Sequence, residues 1–333
     1  MSQESREREL VIVGASSAVA GPLLEVIEEA ELFSGGQVHL LDNSENVGLQ
    51  HVFAGKSLQV EELEGFGFSA DQIVLFFCDA VDAAKWMPLA QKSGAWCVDA
   101  SGLSRGDESV PFVHPLFNGQ DLQAAENRVA GLPVAAAAML REVLAPFGEA
   151  VDSVQVTLCQ PVSELGNREV ELLAKETTQL FNGQEPEVDP AIGQRLAFSQ
   201  MSAAGKITDT GYTFTELSLI HDLKALLPEG VKVAADVMTV PVFHGLLANI
   251  RIRLAEPMDT EQVSALLGNG ARLKIVQNPS SQESLGKEET LVGRIRADLD
   301  DNRTVILCAA SDNLRKDVAM NCLQIVRLLL KNY

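Results

Sequence analysis

The sequence predicts an α/β protein of two domains, one a parallel, helix-covered sheet and the other an α+β arrangement; three observations carry that expectation. Between residues 9 and 30 an apolar, strand-like run passes through a turn of small residues into a helix-like stretch. Short apolar runs then alternate with helical patterns as far as residue 134, the rhythm of a parallel sheet crossed by helices. From residue 151 the apolar runs lengthen and follow one another with few helical stretches between them.

Taken in order, Glu9–Val13 reads as a buried strand, 14–21 as the small-residue turn and 22–30 as a helix with Pro22 in its first turn. Residues 38–41, 73–77 and 95–98 are short apolar strands, with a helix over 80–92. The stretch 135–147 is a helix, because Ala136, Met139, Leu140, Val143, Leu144 and Phe147 recur at helical spacing, which leaves Arg141 and Glu142 outward. Longer strands follow at 151–158, 231–242, 247–254, 290–299 and 304–309, and 277–287 reads as a solvated loop. A last helix over 313–330 sets Val318, Cys322, Ile325, Val326 and Leu329 on one stripe.

A chain of 333 residues exceeds one ordinary core, since domains usually run to ~100 to 200 residues. Its 46 % hydrophobic content marks a folded protein, yet no apolar run approaches the ~18 residues of a membrane span. The charged start at Arg6, Glu7, Arg8 and Glu9 has no apolar core of a signal peptide, so a cytoplasmic location is expected. Cys78, Cys97, Cys159, Cys308 and Cys322 are odd in number and widely spaced, and read as free thiols in neither a disulfide framework nor a metal site. A net charge of −20 opposes nucleic-acid partners, which need Lys and Arg patches.

Residues 292–296, Val-Gly-Arg-Ile-Arg, and 311–316, Ser-Asp-Asn-Leu-Arg-Lys, resemble the closing motifs of the aspartate-semialdehyde dehydrogenases, close to their Usg-type branch. Further similar segments lie at 98–105, 110–115, 159–163 and 196–199, so the resemblance covers nearly the whole chain. It implies a Rossmann-type, NAD-binding-like domain over 1–134, completed by the helix 313–333. It also implies an inserted α+β substrate and dimerisation domain over 135–312, hence a homodimer. In the turn at 13–21, Gly14, Ala15 and Val19 match the family's Gly-Ala-Thr-Gly-x-Val-Gly and Ser16 replaces Thr, whereas Ser17 and Ala20 stand where two glycines belong. Gly14, Ser16, Ser17, Val19, Asp42 and Asn313 are the candidate cofactor contacts. Glu45 occupies the place of the Arg that grips an adenosine 2′-phosphate, while Asp42 is placed to accept from a free ribose hydroxyl; the dinucleotide expected is therefore NAD, if the domain binds one at all. Cys78-Asp79-Ala80-Val81 replaces a Ser-Ala-Gly-Gly beside the cofactor.

In the resembling family a Cys thiolate at a helix start attacks the aldehyde, hydride passes to nicotinamide and phosphate releases the acyl group. Anchoring the family's Asn-Pro-Asn-Cys on Pro133 puts Ala135 at the Cys. Its Arg-x-Pro-x-x-x-x-His puts Thr239 at the substrate Arg and Leu246 at the His, and Glu216-Leu217-Ser218 lacks the Lys of the Glu-x-Lys pair. The remnant substrate contacts are Arg105, Gln160 and Glu216. If 244–246 is extended, His244 shares a face with Leu246, while strand alternation turns Cys159 away from Gln160. The expected function is that of a catalytically incomplete homologue, associating with itself or an active relative. The alternative is an NAD-dependent oxidoreductase for the aldehyde of a small carboxylated metabolite, linked to aspartate-family amino-acid biosynthesis.

Overall fold

The computed structural model describes residues 8–33, 36–203 and 206–332, and divides the chain into two compact units. One runs to Val134 and resumes at Val318; the other is Ala135–Asp317.

The first unit begins with β1 (Glu9–Val13), α1 (Ala20–Glu29) and β2 (Val38–Asp42). A hairpin of β3 (Gln50–Phe53) and β4 (Lys56–Gln59) and a short β5 (Glu61–Glu62) come next, then β6 (Gln72–Phe76), α2 (Ala80–Ser93), β7 (Trp96–Asp99) and β8 (Val129–Gly131). The main sheet runs β5-β2-β1-β6-β7-β8 with every pairing parallel. Counted within this sheet the order is 3-2-1-4-5-6, the doubly wound arrangement whose order reverses beside its first strand. Every residue of β6 and β7 is buried, as strands covered on both faces require. The β3–β4 hairpin is invisible to periodicity because three residues of β3 and all four of β4 are not buried; Ala54 and Gly55, at φ 50° and 70°, form its turn.

The second unit opens with α3 (Ala135–Leu144), followed by β9 (Val151–Gln160), α4 (Asn167–Phe181) and α5 (Phe214–Leu226). It continues through β10 (Lys232–Thr239), β11 (Leu246–Leu254), α6 (Thr260–Gly268), β12 (Leu273–Ile275), α7 (Ser281–Ser284), β13 (Thr290–Ala297) and β14 (Thr304–Ser311). Its mixed sheet runs β10-β9-β11-β14-β13-β12. In β11, Leu246, Ala248, Ile250, Ile252 and Leu254 are buried and alternate with more exposed residues, so one face holds the core. Helices are more numerous here than the sequence pattern indicates. In α4 only Leu173 and Glu176 are buried, and in α5 the buried face of Leu219, Leu223 and Leu226 is interrupted by Asp222. The expected solvated loop at 277–287 instead contains α7, whose Ser284 is fully buried. Glu142, expected outward, is fully buried; α3 is enclosed on nearly every side.

Residues 313–320 form a π-helical stretch leading into α8 (Asn321–Asn332). The passage back to the first unit therefore falls between Asp317 and Val318, later than the expected 313. The reason is bonding: Asn313, Lys316 and Asp317 are tied into the second unit, whereas Ala319, Cys322, Ile325, Val326 and Leu329 join the apolar cluster of β1 and α1. Among the described residues no helix is long and apolar enough to cross a membrane, and no group of His, Cys, Asp and Glu is arranged to hold a metal ion.

Candidate functional site

The nucleotide turn follows β1. Gly14 takes φ +86°, and a Cβ there would lie 2.5 Å from the Cys78 backbone nitrogen, so only glycine lets the turn pass so close to the end of β6. Beyond it, the Ser16 N–H donates to Asp42 Oδ2 at 2.8 Å. Asp42 Oδ1 accepts from the Asn43 N–H at 2.8 Å and from Asn46 Nδ2 at 2.9 Å. Asn46 Nδ2 also reaches Ser16 Oγ at 3.2 Å, and His51 Nε2 lies 2.9 Å from the Ala15 carbonyl oxygen. Asp42, expected to await a ribose, is thus buried and engaged by three donors of its own chain. Ser17 Oγ is enclosed and has no partner among the described residues. Val19 precedes α1 and gives it no side-chain cap.

After the neighbouring strand β6, Asp79 caps α2 by accepting from the Val81 and Asp82 N–H groups, so its charge is held by a helix start. Burial, reinforced by Asp82, pushes the Cys78 thiol up to about 12. After β7 the buried Asp99 accepts from the Ser101 N–H, the Ser101 hydroxyl and the Ser104 N–H, which fixes the loop that carries Arg105. The Arg105 guanidinium folds over Gly102, where a Cβ would fall 1.7 Å from Nη1.

In the second unit the ends of β9, β10 and β14 and the start of β11 bring Gln160, Thr239, Ser311 and Leu246 to one end of the sheet, each at most 1 % exposed. Gln160 Nε2 donates to Thr239 Oγ1 at 3.1 Å, so the residue at the family's Arg position occupies the one at its Gln position. Ala135 heads α3 and is 1 % exposed. His244 lies outside β11, separated from Leu246 by Gly245 at φ +90°; the extended geometry that would align the two side chains is absent. The His244 Nδ1 atom is enclosed without a partner among the described residues. Burial raises the Cys159 thiol, the one nearest Gln160 in sequence.

Two expected contacts are engaged in structural roles. Glu216 is the third residue of α5 and closes a capping box: Oε2 accepts from the Thr213 N–H at 2.8 Å, while Oε1 accepts from the Val237 N–H at 3.2 Å. Asn313 is fully buried, donating to Ser163 Oγ and Glu164 Oε1 and accepting from the Gly245 N–H, so both amide hydrogens and the carbonyl oxygen are engaged by its own chain. The reverse surprise is Glu142, which receives Lys316 Nζ at 2.5 Å and Thr290 Oγ1 at 2.8 Å, while Lys316 also donates to Asp317 at 2.8 Å. An acid and a base on separate helical segments gave no sequence signal that they would meet.

Residues 9–125 match the NAD binding domain of the semialdehyde dehydrogenases, and residues 144–316 match their dimerisation domain. Aspartate-semialdehyde dehydrogenase 2 of Vibrio cholerae is 29 % identical over 99 % of both chains, and a USG-1 protein homolog of Azotobacter vinelandii is 30 % identical over 97 % of this chain and 98 % of that one. The chain belongs to the aspartate-semialdehyde dehydrogenase family. A crystal structure of aspartate semialdehyde dehydrogenase II from Vibrio cholerae superposes with a TM-score of 0.91 at 29 % identity, covering 98 % of this chain and all of that one. The family's cofactor is a nicotinamide dinucleotide, and the residues at this chain's turn do not fit one as they stand. The Ser16 donor is occupied by Asp42, and Glu45 adds an exposed carboxylate in the turn Ser44–Asn46.

Proposed function

We propose that this aspartate-semialdehyde dehydrogenase family member is catalytically incomplete, of the Usg type, and acts through association with a second copy of itself. The supporting observation is the closed end of the second sheet. Where the resemblance calls for an Arg and a His, Thr239 and Leu246 are buried, neutral and packed, and Thr239 satisfies Gln160. Ala135 offers no nucleophile at the start of α3. Nucleophilic turnover requires a thiolate with a base in reach, and neither Ala135 nor Leu246 can supply one. An assay with aspartate semialdehyde, phosphate and either dinucleotide gives no turnover above background. Turnover that His244→Ala abolishes would sink the reading and make His244 the base.

Self-association is supported by the match of residues 144–316 to a dimerisation domain. It is also supported by the aromatic pair Phe181 and Phe198, 80 % and 62 % exposed with ring centroids 5.9 Å apart. Sedimentation at micromolar concentration gives a dimer; a monomer removes this part of the proposal.

Of the two nicotinamide dinucleotides, NAD is the one the adenosine end tolerates, because Glu45 would repel a 2′-phosphate. In parallel titrations carried into the millimolar range, where any residual binding is read, NADP is the weaker ligand, and Glu45→Arg narrows the difference. Tighter binding of NADP to the unaltered chain would contradict the placement of Glu45.

A further inference from the structure

We propose that residues 42–51 latch the nucleotide turn shut, with Asp42 serving as the chain's own anion at a donor that a dinucleotide would otherwise meet. A backbone N–H in a turn between a strand and a helix is the kind of group that receives phosphate oxygens, and it can do so only if free. Here the Ser16 N–H is 2.8 Å from Asp42 Oδ2. The carboxylate is not loosely placed: Asn43 and Asn46 hold its other oxygen, and Asp42 sits at the end of β2 with 6 % of its surface exposed. Asn46 adds a bond to Ser16 Oγ, and His51, in β3, reaches the Ala15 carbonyl. The segment is anchored on its outer side as well, since Asn43 Nδ2 donates to Asp82 Oδ2 at 2.7 Å on α2.

These contacts make one connected network across turn, strand end and hairpin, so a ligand must break several bonds together before it gains its own. An anionic ligand also meets the like charge of Asp42 at the place it would take. The domain therefore keeps the doubly wound fold while excluding the ligand class that fold holds in the family. Ser17 Oγ, enclosed in the same turn, has no partner among the described residues. A shut turn is also rigid, which suits a domain retained as scaffold.

Calorimetric titration of the full chain with NAD tests the latch in three proteins: unaltered, Asp42→Ala and Asn46→Ala. The unaltered chain shows no saturation below about 1 mM, while each variant binds about ten-fold tighter or more, the scale of one regained hydrogen bond to a charged group. Amide exchange at Ser16 accelerates in both variants, reporting the opening independently of any ligand. Asn46→Ala keeps the negative charge, so a gain confined to Asp42→Ala assigns the exclusion to charge and overturns the latch. Saturable binding by the unaltered chain that Asp42→Ala abolishes makes Asp42 a ribose acceptor, which also overturns it. So does failure of both variants to bind while their thermal midpoints stay near that of the unaltered chain.

Discussion

Ala135→Cys places a thiol at the start of α3 and leaves phosphate-dependent oxidation of aspartate semialdehyde undetectable. Loss of the nucleophile in a covalent enzyme costs about 10⁶ in turnover, and restoring it recovers little when its partners are missing. A helix start favours the thiolate, but Ala135 is 1 % exposed, so access limits reaction with alkylating agents. Burial pushes the thiols of Cys78, Cys97 and Cys322 up to about 12 and raises that of Cys159, which lowers background alkylation. Adding Thr239→Arg and Leu246→His does not complete the site. Arg at 239 breaks the bond from Gln160 and buries a guanidinium, and His at 246 puts an imidazole where a fully buried Leu packs. Each substitution buries polar groups without partners, at about 1–3 kcal/mol or more. The triple variant unfolds more readily than the unaltered chain and remains inactive. Measurable turnover by a well-folded triple variant would show that the strand ends can reopen, and the incomplete-enzyme proposal would then rest on sequence substitutions alone.

Lys316→Met lowers the stability of the protein by about 3–5 kcal/mol, the usual result of removing one partner from a buried ion pair. Lys316 is fully buried between Glu142 and Asp317, which are themselves fully buried, and Arg272 approaches Glu142 at 3.7 Å from the other side. Without the ammonium, Glu142 and Asp317 face each other away from water and lose the donor they share. Urea unfolding measures the loss; a change below about 1 kcal/mol would mean that the cavity admits water and the pair contributes little. The same cluster sets a pH dependence. Burial, opposed by Lys316 and reinforced by Glu142, raises the Asp317 carboxyl from an ordinary 3.8 to about 7. A folded value above the unfolded one means that the protonated acid is the form the fold favours. The contribution is complete below pH 3.8 and is lost as pH rises through about 7. Stability therefore declines between about pH 4 and about pH 7 and levels off above that, and Asp317→Asn makes the decline shallower. Equal slopes in the two proteins would remove Asp317 as the titrating group.

What the sequence determined by itself was local and additive. Apolar runs at β1, β6 and β7 announced strands buried on both faces, and the Gly14 turn and the stripe through Cys322, Ile325, Val326 and Leu329 marked the nucleotide-type domain and its closing helix. Ala135, Thr239 and Leu246 could be set beside the family motifs because motif spacing is itself written along the chain. Tertiary structure alone decided which polar groups were already taken. Asp42 is separated from Ser16 by 26 residues, Gln160 from Thr239 by 79 and Lys316 from Glu142 by 174, and no periodicity encodes such meetings. Glu142 shows the reason most clearly: on an isolated helix a charged residue belongs to the solvated face, and only a base delivered from a distant segment makes its burial tolerable. Hydrophobic pattern depends on each residue's own preference for water, whereas the fate of a polar side chain depends on what the fold brings to it.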